Sequence, residues 1–67
     1  MTNTLLFKGI MVAKGKTFQE LADEIGLSKT CLSYKVNNKS QFVVSEIKAI
    51  QKALELTNEE RDAIFFG

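Results

Sequence analysis

Residues 17–39 read Thr-Phe-Gln-Glu-Leu-Ala-Asp-Glu-Ile-Gly-Leu-Ser-Lys-Thr-Cys-Leu-Ser-Tyr-Lys-Val-Asn-Asn-Lys, and this stretch decides the fold. It predicts two short helices joined by a tight turn. Ala22 is small and lies four positions before Gly26, so a second helix can cross the first closely. Gly26 can take the positive φ that such a turn demands. Ser28 offers a side-chain oxygen to cap the second helix. Leu32 and Val36 then give that helix an apolar face. Two helices held this way can lay the second in the major groove of DNA.

Working outward, apolar residues recur at helical spacing on both sides. We expect a first helix over about residues 3 to 14, with Leu6, Ile10 and Ala13 as its apolar stripe, Phe7 and Met11 beside it, and Gly15 as its stop. The second helix spans about 18 to 25, opened by a Thr17-x-x-Glu20 capping box, with Phe18, Leu21, Ala22 and Ile25 inward. The third spans about 29 to 37. Asn37-Asn38-Lys39-Ser40 reads as a loop, pinned to the body by Phe42 and Val43. A fourth helix is expected over about 46 to 55, capped by Ser45, with Ile47, Ile50 and Leu54 on one face and Ala49 and Ala53 alongside. A fifth spans about 58 to 66 behind a Thr57-x-x-Glu60 box. Five short helices with short loops and no strand make an all-α, single compact domain over residues 1–67.

Size and composition set limits. A 67-residue chain buries only about 60% of its unfolded surface, so stability is marginal. The lone Cys31 cannot pair within the chain and suits a reducing compartment. There is no histidine, so no ordinary zinc site can be assembled, and we expect no cofactor. No nucleophile–base pair, apolar carboxylate pair or glycine-rich phosphate loop suggests an enzyme. The opening residues lack the features of a signal peptide, and no apolar run is long enough to span a membrane. The expected location is the cytoplasm.

Net charge is only +1, but it is unevenly placed. Residues 1–44 carry six lysines against three acids, and residues 45–67 carry three basic residues against five acids. Between Gly26 and Val44 lie Lys29, Lys35 and Lys39 and no acid. Such a local basic patch is a footprint of phosphate contact, although a solvated helix face has the same composition.

Stepping about 100° per residue from Leu32 places Val36 near 40° and Thr30, Ser33, Tyr34 and Asn37 between about 100° and 200°, opposite the core. Lys29 projects from the helix start. Short hydroxyls, a tyrosine and an asparagine are unusual on a face that only needs to be soluble. They can donate to base edges, and Thr30 or Tyr34 can touch a thymine methyl. Lys35 falls near −60°, toward the core. Its ammonium has to snorkel out to solvent or a phosphate. Cys31 reads as a half-buried filler.

These residues resemble the temperate-phage repressor and Cro family of helix-turn-helix regulators. The resemblance covers nearly the whole chain and is carried by Leu32 to Lys39 and by Ser45-Glu46-Ile47. It implies a lambda-repressor-like fold and a sequence-specific transcriptional regulator that binds a double-stranded DNA operator. Bases would be read by Lys29, Thr30 and Tyr34, with Ser33 on the same outward face. Phosphates would be held by Thr17 and Gln19 at the start of the second helix and by Asn37, Asn38 and Lys39 at the exit of the third. Apart from the resemblance, Ser28 at the turn and Lys35 beside the acid-free exit are further phosphate candidates. Many relatives place a glutamine where Phe18 stands here, and an apolar residue where Lys35 stands.

Two further expectations concern partners. Adjacent residues of a helix sit 100° apart, so Phe65 and Phe66 cannot both be buried easily in so small a body. A weak homodimer through Ile64, Phe65 and Phe66 would use the ring left outside. The alternative function is a protein-binding modulator, such as an antirepressor, that grips another regulator with the same fold. A positive stripe over Lys16, Lys29, Lys35 and Lys39 favours DNA, and an acidic or apolar surface around Tyr34 favours a protein.

Overall fold

The computed structural model describes residues 1–66, and five helices occupy most of them: α1 (Thr4–Lys14), α2 (Phe18–Ile25), α3 (Lys29–Val36), α4 (Val44–Leu54) and α5 (Asn58–Phe65). No strand occurs among the described residues.

Local chemistry accounts for most of the boundaries. Asn3 caps α1 by accepting the Leu6 N–H, and Gly15 ends it at φ 70°. Thr17 and Glu20 form the reciprocal capping box of α2, and Gly26 ends that helix at φ 77°. Ser28 Oγ accepts the Cys31 N–H at 3.0 Å and opens α3. Thr57 and Glu60 form a second reciprocal box for α5. Each side chain satisfies an amide that helix geometry leaves without a partner.

The fourth helix departs from expectation. It starts at Val44, two residues early, and Ser45 lies inside its first turn rather than capping it. The N-cap is Val43, which has no side-chain acceptor. Instead the Glu46 carboxylate reaches back to the Val43 N–H at 2.9 Å. One half of a capping box therefore suffices to open the helix.

Twelve apolar residues form one buried cluster: Phe7 and Met11 of α1, Leu21 and Ala22 of α2, Leu32 and Val36 of α3, Ile47, Ile50 and Leu54 of α4, Leu56 beyond it, and Ile64 and Phe65 of α5. Fully burying a Leu, Ile, Phe or Met side chain contributes roughly 1.5–3 kcal/mol. Phe7 is the hub. Its ring centroid lies 6.1 Å from Phe18, 6.3 Å from Phe42 and 6.1 Å from Phe65.

Two sequence-based placements change, and one at the C-terminal end holds. The inner face of α1 centres on Phe7 and Met11; Leu6 and Ile10 are only partly covered, and Ala13 is exposed. That helix is apolar on nearly every side, so periodicity alone does not choose a face. Val43 is not core, at 54% exposure, whereas its neighbour Phe42 is half-buried against Phe7 and Phe65. Phe65 is buried at 6% and Phe66 is exposed at 64%. One ring is in and one is out, as their 100° offset requires.

α2 packs on both α3 and α4, and α5 packs on α1 and α4. α3 is thus held by its Leu32–Val36 face, with its opposite side left open.

Candidate nucleic-acid interface

The open side of α3 carries Thr30, Tyr34 and Asn37, all exposed, with Lys29 exposed at the helix start. Tyr34 keeps 54% of its surface. Ser33 is half-buried at the edge of this face. Asn37 folds back, its Nδ2 donating to the Ser33 carbonyl at 2.8 Å. Its Oδ1 has no partner among the described residues.

Lys39 lies in the segment that leaves α3. Its backbone N–H donates to the Tyr34 carbonyl at 2.9 Å. Its Nζ sits 5.5 Å from the Tyr34 ring centroid, within cation–π range. Tyr34 and Lys39 therefore form one unit, an aromatic face with a cation beside it. Among the described residues neither Lys29 nor Lys39 has an acidic partner.

The remaining phosphate candidates are placed as follows. Thr17 and Ser28 hold helix starts with their oxygens, and both are exposed. Gln19 donates to Asp23 at 2.9 Å and keeps a second N–H. Lys16 pairs with Glu24, which removes one cation from the expected positive stripe.

Lys35 and Asn38 depart most from their sequence-based readings. Lys35 does not send its ammonium to solvent. Its Nζ donates to both Glu46 oxygens, at 2.8 and 3.1 Å, and to the Gln41 carbonyl at 3.2 Å. The two side chains are 12% and 17% exposed. An inward lysine needs a paired charge, because its desolvation is otherwise too costly. Asn38 has φ 62° and ties its amide to the chain's own N-terminal backbone. Its Oδ1 accepts the Thr2 N–H at 2.8 Å, and its Nδ2 donates to the Thr2 carbonyl at 2.9 Å.

Burial pushes the Glu46 carboxyl up, but hydrogen bonds from Lys35 and the Val43 N–H, with the Lys35 charge, outweigh it. The group lies below the ordinary glutamate range and is ionised at neutral pH.

Sequence reasoning missed Glu46, Gln41 and Thr2 as partners of the α3 exit. A signal for Glu46 was present: it is the only acid between Gly26 and Lys48, and an inward lysine requires one. Nothing local announced the Asn38–Thr2 pairing across 36 positions.

Comparison of the chain with protein-family models, curated proteins and solved structures finds no match.

Proposed function

We propose that the protein is a sequence-specific regulator of transcription that binds double-stranded DNA through a lambda-repressor-like helix-turn-helix, with α3 in the major groove. The observation that carries this reading is the outward face of α3. Thr30 and Tyr34 stand exposed opposite the buried Leu32 and Val36, and Lys29 and Lys39 flank them with no acidic partner among the described residues. Lys29, Thr30, Ser33 and Tyr34 are the base-reading set. Lys39 and Asn37 at the exit, with Thr17, Gln19 and Ser28 at the two helix starts, meet phosphates.

The body measures 26 × 24 × 21 Å between its Cα extremes. One copy is too small to span two half-sites about 34 Å apart. The working form is a weak homodimer on a near-palindromic operator. Of Ile64, Phe65 and Phe66, only Phe66 has surface to offer a second copy.

The test is selection of bound duplexes from a random library, followed by Tyr34→Ala. The substitution should weaken the selected site by roughly 1–3 kcal/mol and relax preference at one or two base pairs. Equal loss on every sequence, or none, overturns the reading. One observation favours a protein-binding modulator instead. Lys16 and Lys35 are neutralised inside the chain, so the positive stripe shrinks to Lys29 and Lys39. Failure to select any duplex would favour that second reading.

A further inference from the structure

Two anchors hold the segment that leaves α3, one on each side. On one side Lys35, Gln41, Val43 and Glu46 form a closed node. The three Nζ contacts of Lys35 are the two Glu46 oxygens and the Gln41 carbonyl. Glu46 Oε1 also accepts the Val43 N–H. The Lys35 side chain is only 12% exposed and its ammonium is turned to the Glu46 carboxylate and the Gln41 carbonyl, so little of it is open to an incoming ligand. Its Nζ lies 5.9 Å from the Phe42 ring, so the same node seats that ring's edge of the core. On the other side Asn38 is paired with the Thr2 backbone, and Thr4 Oγ1 donates to the Val36 carbonyl at 2.6 Å. Lys39 lies between the two anchors, with its Nζ over Tyr34.

We propose that Lys35 and Glu46 are positioning residues of the DNA interface. The pair fixes the path of residues 37–43 and so keeps Lys39 over Tyr34, and Lys35 itself touches no phosphate. This inference rests on the DNA-binding reading above for its consequence, though not for its geometry. A lysine that contacts phosphate and a lysine that places another lysine behave differently in a double-mutant cycle. Two independent phosphate contacts add, each contributing about 0.9 to the salt slope. A positioning residue that acts through Lys39 has nothing further to remove once Lys39 is gone.

Two measurements test it. The first needs no DNA. By NMR of the free protein, the Lys39 ε-methylene protons should be shifted by the Tyr34 ring. The shift should shrink in Lys35→Met and in Glu46→Gln and return in Lys35→Arg. Glu46→Gln keeps an oxygen for the Val43 N–H and serves if Lys35→Met does not fold. An unchanged Lys39 shift in a folded variant overturns the proposal. The second is the cycle of Lys35→Met and Lys39→Ala on the selected duplex. Each single variant and the double variant should all lose about 0.9 of slope. A double variant that loses about twice that makes Lys35 a phosphate contact and also overturns the proposal. A parent that binds no duplex removes the DNA reading, while the NMR arm still decides whether the pair positions Lys39.

Discussion

Gly26-Leu27-Ser28 turns the chain into α3, while residues 37–43 take it out again. Both connections need a residue in the left-handed region, Gly26 at φ 77° and Asn38 at φ 62°. The entry turn uses a glycine, which adopts that conformation without steric cost, and a serine two residues later that caps the next helix. Its bonds are local: the Leu27 N–H reaches the Ala22 carbonyl at 2.9 Å and Ser28 reaches Cys31. The exit uses an asparagine, has no side-chain cap on the next helix, and depends on residues up to 36 positions away. A turn set by its own residues keeps its shape alone. A connection set by distant partners keeps its shape only while those partners stay packed.

The sharpest break of this contrast is Gly26→Val. An added Cβ meets nothing within 4 Å, so the strain at that atom is conformational rather than steric. A left-handed residue with a Cβ costs roughly 1–2 kcal/mol, and a β-branched one is worse. We expect a loss of at least about 2 kcal/mol in thermal melts, a large share of the stability of so small a domain. Gly26→Asn should recover most of it, because asparagine tolerates this region. Melts identical to the parent in both variants would remove the argument for the entry turn.

At the exit, Asn38→Gly keeps the backbone freedom and deletes the clamp. It loses an accepted bond from the Thr2 N–H and a donated bond to the Thr2 carbonyl. At roughly 0.5–1.5 kcal/mol for each net hydrogen bond, the expected loss is about 1.5 kcal/mol. Hydrogen exchange should quicken at the Thr2 amide and at Asn3, whose N–H donates to the Ile64 carbonyl at 2.7 Å. A loss confined to residues 37–43 would mean that the Asn3–Ile64 and Thr4–Val36 bonds hold the N-terminal residues without Asn38.

The same contrast explains what was legible in the sequence. The five-helix all-α pattern, the capping boxes at Thr17 and Thr57, and the stops at Gly15 and Gly26 follow from signals within a few residues of each boundary. The outward set Thr30, Tyr34 and Asn37 follows from the helical period once Leu32 and Val36 are taken as core. The state of Lys35 and Asn38 was not legible, because their partners lie on other elements. The start of α4 was misplaced for a related reason. Ser45 is a strong local capping signal, yet Glu46 tied to Lys35 captures the Val43 N–H instead. The choice of face on α1 was equally undetermined, since Leu5 and Val12 are apolar and exposed while Phe7 and Met11 are buried.

A smaller effect separates the two connections by pH. The Glu46 carboxyl is held below its ordinary value of 4.5. A carboxyl whose pKa is lower folded than unfolded adds stability that is complete above the unfolded value. That stability is lost as the pH falls through the folded value. Acid therefore loosens the exit. Glu20 and Glu60 have the same sign, through backbone N–H bonds from Thr17 and Thr57, but act on helix starts elsewhere. Denaturant titrations between about pH 5 and pH 3 should show the parent losing more stability than Glu46→Gln. Parallel curves would mean that the pair adds no pH-dependent stability.

The smallest expected effect runs in the opposite direction and sharpens the comparison most directly. Val43 occupies the N-cap of α4 with φ −89° and ψ 162°, the extended geometry of a serine or threonine cap. Its side chain is mostly exposed, so little packing is lost on replacing it. Val43→Ser would place an oxygen where it can accept the Glu46 N–H, while the Glu46 carboxylate still accepts the N–H of residue 43. The half box would become a full one, like those at Thr17 and Thr57. The gain should be about 0.5–1 kcal/mol, toward the low end because some apolar contact is given up. Aspartate is the poorer choice, since its charge would face the Glu46 carboxylate. If Val43→Ser instead destabilises the protein, the exit is already fixed by the Lys35–Glu46 node. A competing cap would then disturb the one carboxylate that joins α3 to α4.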